Sequence, residues 1–331
     1  MKDKTYTIEA LTDIWTGDAD RRGDRLVTSG LLGSIRWWFE VLVRGLGGSA
    51  CDPTQDGNRC PDHRKKPTEP GHHCVVCELF GCTGWARKFR FEVLDENERV
   101  KVTQIKKGET FKLRFTPLRP NRRISDEECA LLDLTLRLIA DYGAIGGKTV
   151  LKPSDEPSRD TAAHHRDYGL IEIQEPPKDT PSLTRQKLEE YVSQHGWRRL
   201  DHDDFGWASL EHFWCVKKWY LARQNANAST FNRVIGRPEP KNRSAQGDSW
   251  LAGRRARGQP DPQDPESKKV FSFKKPRHAS RTFGFVKPGL LTLEGMRQRL
   301  KGVWPNLKDE EFVTGPAILE RLLDRPGGGA P

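Results

Sequence analysis

Thr28-Ser29-Gly30-Leu31-Leu32-Gly33-Ser34-Ile35-Arg36-Trp37-Trp38-Phe39 opens the strongest helical pattern in the chain. Extended over residues 31–46, it sets Leu31, Ile35, Trp38 and Leu42 on one stripe and Arg36, Glu40 and Arg44 on another, the pattern of a helix lying on a core. Ser29 is a suitable N-cap, and Gly45, Gly47 and Gly48 stop the helix. Small residues at 29, 30, 33 and 34 leave one side of the first turns bare. Two readings fit that bareness. A nucleic-acid backbone can approach the open amides and positive dipole end, with Arg36 reaching the same anion; or Gly33 and Ser34 simply allow close helix–sheet packing.

Working outward, residues 5–11 alternate as a half-buried strand, and residues 12–24 are polar, with Asp13, Asp18, Asp20 and Asp24 beside Arg21 and Arg22. Beyond the helix, residues 88–93 read as a returning strand, 101–115 as a strand pair, and 126–142 as a helix buried through Leu132, Leu136 and Ile139. Strand, helix, strand, strand, helix is the order of a ferredoxin-like α+β unit that lacks one strand. Further on, 170–173 reads as a strand, 181–194 and 207–220 as helices, 282–286 as a strand, and 293–303 and 316–323 as helices.

Between the helix and the returning strand, residues 49–82 form an insertion of Cys, His, Pro, Asp and Lys. Five of the seven cysteines lie there: Cys51, Cys60, Cys74, Cys77 and Cys82. Cys74-Val75-Val76-Cys77 is a two-residue knuckle that turns two thiolates to one ion, and Cys51 with Cys60 supplies a second pair. A Pro- and charge-rich segment cannot bury a core and needs a staple, so structural Zn2+ on Cys51, Cys60, Cys74 and Cys77 is the expected cofactor. His63, His72 and His73 are alternative ligands, and a disulfide pair or free thiols are the competing chemistries. Cys129 and Cys215 fall inside apolar patterns and read as core.

The chain has 331 residues and a formal net charge of +10. No run of eighteen apolar residues predicts a membrane span, and residues 1–5 do not read as a secretory signal, so a cytoplasmic protein is expected. Ten Trp and fourteen Phe exclude disorder throughout. Residues 233–287 hold fourteen Lys/Arg against five Asp/Glu, interleaved with Trp250, Phe271 and Phe273. That suits salt-dependent RNA binding with base stacking, or a solvated loop of a basic protein. Residues 143–149 end in Gly-Lys-Thr but place Tyr142 where a phosphate-binding P-loop needs glycine, so ATP binding is excluded. His164-His165 reads as solvated loop in preference to a general base.

Taken together, the residues from Gly17 to Asp24, Ser29, Gly33, Ile35-Arg36-Trp37-Trp38, Glu78-Leu79-Phe80-Gly81 and Tyr142-Gly143-Ala144-Ile145-Gly146-Gly147-Lys148 resemble the RAMP superfamily of CRISPR-associated proteins. Within it they are most similar to the first-subunit group of type III-B (Cmr) effector complexes, and Arg277-His278-Ala279-Ser280-Arg281 is a weaker echo. The resemblance implies two ferredoxin-like, RNA-recognition-module-like units with long loops. One would span residues 1–150 and carry the zinc insertion; the other, 151–331, would carry the basic loop at 233–287. It implies a non-catalytic subunit of an antiviral ribonucleoprotein. Its partners would be guide RNA and target RNA near the far end of their duplex, together with other Cmr subunits. The RNA contacts it points to are Arg21, Arg22, Ser29, Gly33, Ser34, Arg36, Lys148, Arg277 and Arg281. Because relatives cut RNA with a loop aspartate, Asp18, Asp20 or Asp24 as a catalytic residue is the runner-up, and a zinc-ordered protein–protein adaptor is a third reading.

Overall fold

A computed structural model describes residues 3–17, 20, 22–52, 57–147, 153–159, 162–200, 205–237, 249–253 and 266–324. The chain divides into two units. The first comprises Met1–Gly147, Gly169–Glu211 and Gly315–Pro331, and the second Lys148–Tyr168 and His212–Thr314.

In the first unit the chain runs β1 (Lys4–Ala10), α1 (Thr28–Gly45), α2 (Val75–Phe80), β2 (Phe89–Leu94), β3 (Thr110–Pro117), α3 (Asp126–Tyr142), β4 (Ile171–Glu175) and α4 (Arg185–Val192). The antiparallel sheet has the order β2-β3-β1-β4, the ferredoxin-like arrangement. Alternation in β1 buries Tyr6, Ile8 and Ala10, and the register sets Tyr6 opposite Leu113 and Ile8 opposite Phe111. Helix α1 packs against α3 and β2 through Leu31, Ile35, Trp38, Phe39 and Leu42, each burial stabilising by about 1.5–3 kcal/mol. A capping box starts α3: the Ser125 hydroxyl accepts from the Glu128 amide (3.2 Å), and the Glu128 carboxylate accepts from the Ser125 amide (2.8 Å).

The strand missing from the sequence pattern is β4. It lies beyond residue 150 but pairs with β1, setting Ile8 opposite Ile173, so a single boundary at 150 does not describe the chain. Between 101 and 115 there is one strand, β3, preceded by isolated bridges at Val100, Thr103 and Ile105.

The second unit repeats the plan with β5 (Phe213–Lys217), α5 (Thr230–Val234), α6 (Ser249–Ala252), β6 (Val270–Phe273), β7 (Arg281–Phe285), α7 (Leu293–Lys301) and β8 (Phe312–Thr314), in the sheet order β6-β7-β5-β8. The helix expected over 207–220 is instead β5. Its run Phe-Trp-Cys-Val is buried throughout because the strand is central, paired with both β7 and β8. Trp214, Phe231, Val270, Met296 and Leu300 form its core, with Trp214 stacked on Phe312. The last helix, α8 (Gly315–Leu323), belongs to the first unit and buries Ile318, Leu319 and Leu322.

Candidate nucleic-acid interface and metal centre

The start of α1 is fixed by side chains other than the expected cap. Thr28, not Ser29, begins the helix, and the cap position is Val27, whose amide donates to the Thr16 hydroxyl (2.7 Å). Thr16 in turn donates to the Arg25 carbonyl (3.2 Å). Ser29 is thereby left on the exposed side. Gly33 is exposed as well, and a Cβ built there meets nothing within 4 Å. Close packing therefore does not account for this glycine; the helix is bare on that side.

The glycine-rich turn after α3 closes against the same helix end. Ser34 Oγ accepts from the Gly146 amide (3.0 Å), the Gly147 amide donates to the Trp15 carbonyl (2.9 Å), and Trp38 Nε1 donates to the Ala144 carbonyl (2.8 Å). Gly146 has φ +108°, and a Cβ there would stand 2.7 Å from the Trp15 oxygen, so both conformation and space require glycine. Ser29, Gly33, Ser34, Gly146, Gly147 and the loop ending at Gly17 thus meet at one end of the first unit.

Arg22, Asp20 and Asp24 are exposed in the adjoining loop, while Asp13 is held by the Lys107 amide (2.9 Å) and by Lys106 (3.7 Å). Asp18, Arg21 and Lys148 lie outside the described residues. In the second unit, Arg277 is exposed in a 3-10 turn. Arg281 is buried in the internal strand β7, with Nε donating to the Ala279 carbonyl (3.2 Å), a position unlike that of a surface phosphate ligand.

The structure gives Arg36 a different task from anion capture at the helix start. Its Nε pairs with Glu40 (3.0 Å), Nη1 donates to the Gly81 carbonyl (3.0 Å), and Nη2 points at Cys77 Sγ (3.2 Å) and Cys51 Sγ (3.6 Å). The polar stripe of α1 faces the cysteine insertion.

Cys51, Cys60, Cys74 and Cys77 are buried, and their sulfurs all lie within 4.8 Å of one another, forming a group able to hold a metal such as zinc. Cys51 and Cys77 sulfurs are 3.5 Å apart, close to the edge of a tetrahedron with metal–sulfur bonds of ~2.3 Å. Cys74 caps α2, and its amide donates to Cys60 Sγ (3.2 Å), so the helix start orients two of the four sulfurs. Hydrogen bonds from Cys60, Cys74 and Cys77, aided by the Arg36 charge, hold the Cys51 thiol below its ordinary range. The histidines are occupied elsewhere: His72 Nδ1 and His73 Nδ1 share a hydrogen bond (2.9 Å), and His73 Nε2 bonds Glu78 (2.8 Å). His63 is exposed and Cys82 is outside the four. Among the described residues this is the one group of acids, histidines or cysteines close enough to hold a metal.

A buried charge network, not foreseen from the sequence, joins this centre to the sheet and α3. Glu78, next to Cys77, accepts from Trp85 Nε1 (2.9 Å) and pairs with Lys88 (2.7 Å) and Arg122 (3.5 Å). Burial pushes its carboxyl up, but hydrogen bonds from His73 and Lys88 prevail and hold it at about 2. Lys88 Nζ also bonds both oxygens of buried Glu128 at 2.9 Å. The one sequence signal for it was a charged residue placed directly after a cysteine knuckle.

The segment that carries both the bare helix end and the cysteine centre is also the segment with a family resemblance. Residues 7–151 match the RAMP superfamily. No curated protein matches the chain. Among solved structures, the chain is similar to the apo crystal structure of Cmr1 from Pyrococcus furiosus (12% identity, 87% of this chain and 88% of that one, TM-score 0.44). It is also similar to a chain in the cryo-EM structure of a type III-B Cmr-beta complex bound to cognate target RNA and AMPPnP in the presence of ssDNA (9% identity, 91% and 98%, TM-score 0.43). Among the described residues, no helix is long and apolar enough to cross a membrane.

Proposed function

We propose that the chain is a non-catalytic RNA-binding subunit of a cytoplasmic type III-B CRISPR ribonucleoprotein, in the position of its first Cmr subunit. It holds guide RNA and target RNA near the far end of their duplex while base pairing supplies sequence choice. The observation that supports this most directly is Gly33, an exposed helical glycine with nothing within 4 Å of its Cβ position, flanked by Ser29, Ser34 and the Gly146-Gly147 turn. Small side chains around open backbone let a phosphate backbone approach without a clash. Arg22 in the first unit and Arg277 in the second are exposed cations available to such a contact, and Arg21 and Lys148, outside the described residues, belong to the same reading. Zn2+ held by Cys51, Cys60, Cys74 and Cys77 orders the insertion and does no chemistry on RNA.

The test is Gly33→Leu in the assembled complex, with RNA crosslinks mapped to residues. The helix accommodates the larger side chain, so metal content and folding are retained while crosslinks at the start of α1 are lost. Unchanged crosslinks remove this face from RNA binding. Asp20→Ala and Asp24→Ala are expected to leave every target-RNA cleavage product in place; a missing product would instead assign a nuclease to this chain.

A further inference from the structure

A basic cleft that shares no lining residue with the start of α1 lies within the first unit. It has a volume of about 500 Å³ and opens between residues 57–71 of the cysteine insertion and residues 195–200 that follow α4. Its walls are tied by main-chain bonds: the Gly71 amide donates to the Gly196 carbonyl, and the Arg198 amide to the His73 carbonyl, both at 2.8 Å. Arg198 adds side-chain ties, donating to the Arg59 carbonyl (2.5 Å) and the Gly57 carbonyl (3.2 Å). Cys60 and Cys74 of the metal centre bracket residues 61–73, which hold most of this wall, so the same staple that orders the cysteines shapes the cleft.

Among the described residues, the lining carries Arg64, Lys65, Arg198 and Arg199 against one carboxylate, Asp62. Both oxygens of Asp62 are already bonded by Arg64 at 2.9 Å, so among the described lining residues the cations outnumber the acid by three. The Arg64 side chain is nevertheless 89% exposed. Lys65 donates to the Pro70 carbonyl (2.8 Å) and Arg199 to the Ser193 carbonyl (2.7 Å), single bonds that position groups with three and five donors respectively. Trp197 lines the same cleft. Its Nε1 donates to the Tyr191 carbonyl (2.7 Å), which steadies the ring as a surface for a base.

We propose that this cleft is a phosphate-binding site that takes a phosphodiester of single-stranded RNA. Three guanidinium groups and an ammonium around a space of one-nucleotide size match tetrahedral phosphate oxygens, and the adjacent indole suits a nucleobase better than an acidic peptide. That RNA is the source of the phosphate rests on the function proposed above; the phosphate chemistry rests on the cleft.

The experiment uses the full chain, metal-loaded, with a fluorescent oligouridylate titrated at several salt concentrations. Uridine 5′-monophosphate and polyglutamate serve as competitors. The variant Arg64→Ala/Lys65→Ala/Arg199→Ala removes three exposed cations, and metal content and circular dichroism check that it folds. Affinity is expected to fall by at least about tenfold, and the salt slope to flatten by about 2, at ~0.7 per phosphate contact on a single strand. Displacement of the oligonucleotide from the cleft by the monophosphate at similar concentration keeps the phosphate site and overturns the RNA strand as its source. Unchanged affinity and slope, or displacement by polyglutamate in preference to both nucleotides, overturns the site. If Gly33→Leu still weakens RNA binding while the triple variant does not, the cleft falls and the function above stands. If the parent chain does not bind RNA but binds the monophosphate, the reverse holds.

Discussion

Replacing Arg36 by Ala tests whether the α1 arginine serves the metal centre. The side chain is 22% exposed and touches Glu40, the Gly81 carbonyl and the sulfurs of Cys51 and Cys77. Two losses follow. Removing a donor that orients metal-bound thiolates costs about 10–100-fold in metal affinity, or about 1.4–2.7 kcal/mol. Stranding Glu40, whose side chain is 7% exposed, costs about 3–5 kcal/mol of folding stability, with Arg44 moving the value toward the lower end. The double variant Arg36→Ala/Glu40→Gln separates the two, because it removes the stranded charge while leaving the sulfurs without their donor. Competition against a chromogenic zinc chelator is expected to give weakened zinc binding in both variants. Urea unfolding of the zinc-loaded chains is expected to show a large deficit only in the single variant. Parent-like zinc affinity in the double variant would refute the assignment. Arg36→Lys is expected to fall between parent and Ala, since one ammonium cannot span a carboxylate, a carbonyl and two sulfurs.

Lys88→Met leaves Glu78 and Glu128 facing one another in a buried site and is expected to destabilise the first unit by about 3–5 kcal/mol in urea unfolding; adding Glu128→Gln should recover part of it. In the second unit, burial pushes the Asp167 carboxyl up to about 6, against backbone hydrogen bonds from Lys275 (2.7 Å) and Lys274 (2.9 Å). The folded state therefore favours the protonated acid. Its contribution is fully present below about pH 3.8, is lost as pH rises through about 6, and amounts to about 3 kcal/mol. Asp167→Asn is expected to abolish that slope, read from urea midpoints across the interval, and an unchanged slope would assign it to other groups.

The helices were legible where one face is apolar and the other polar. Asp126–Tyr142 has the bounds that its periodicity predicts, and α1 differs mainly at its start, because Thr16, outside the helix in sequence, supplies the side-chain oxygen expected of Ser29 by accepting from the Val27 amide. The strands were harder, since pairing is not local. Residues 170–173 read as a strand, yet nothing nearby in the chain says that Ile173 faces Ile8. Phe213–Lys217 lacks alternation because it is buried on both faces, and a short continuous apolar run does not distinguish a central strand from a helix. Val270–Phe273 was concealed by the lysines and arginines around it. The cysteine quartet was visible from spacing, because a metal site concentrates rare residues. The direction of Arg36 was not: periodicity places it on the polar stripe, and only the folded insertion shows that this stripe faces sulfur. The cleft at Arg64 and Arg198 joins residues more than a hundred positions apart, a juxtaposition that no window along the chain contains.

The return of α8 to the first unit sets an order on synthesis. Ile318, Leu319 and Leu322 fill that unit, and Arg137 Nη1 donates to the Leu322 carbonyl (2.9 Å), yet these residues leave the ribosome only after the whole second unit. The unit that holds β1 is thus completed only after the second unit. A nascent chain stopped before Gly315 would hold a finished second unit beside a first one missing its closing helix. Termination before residue 315 would therefore damage the unit that carries the glycine turn and the cysteine centre.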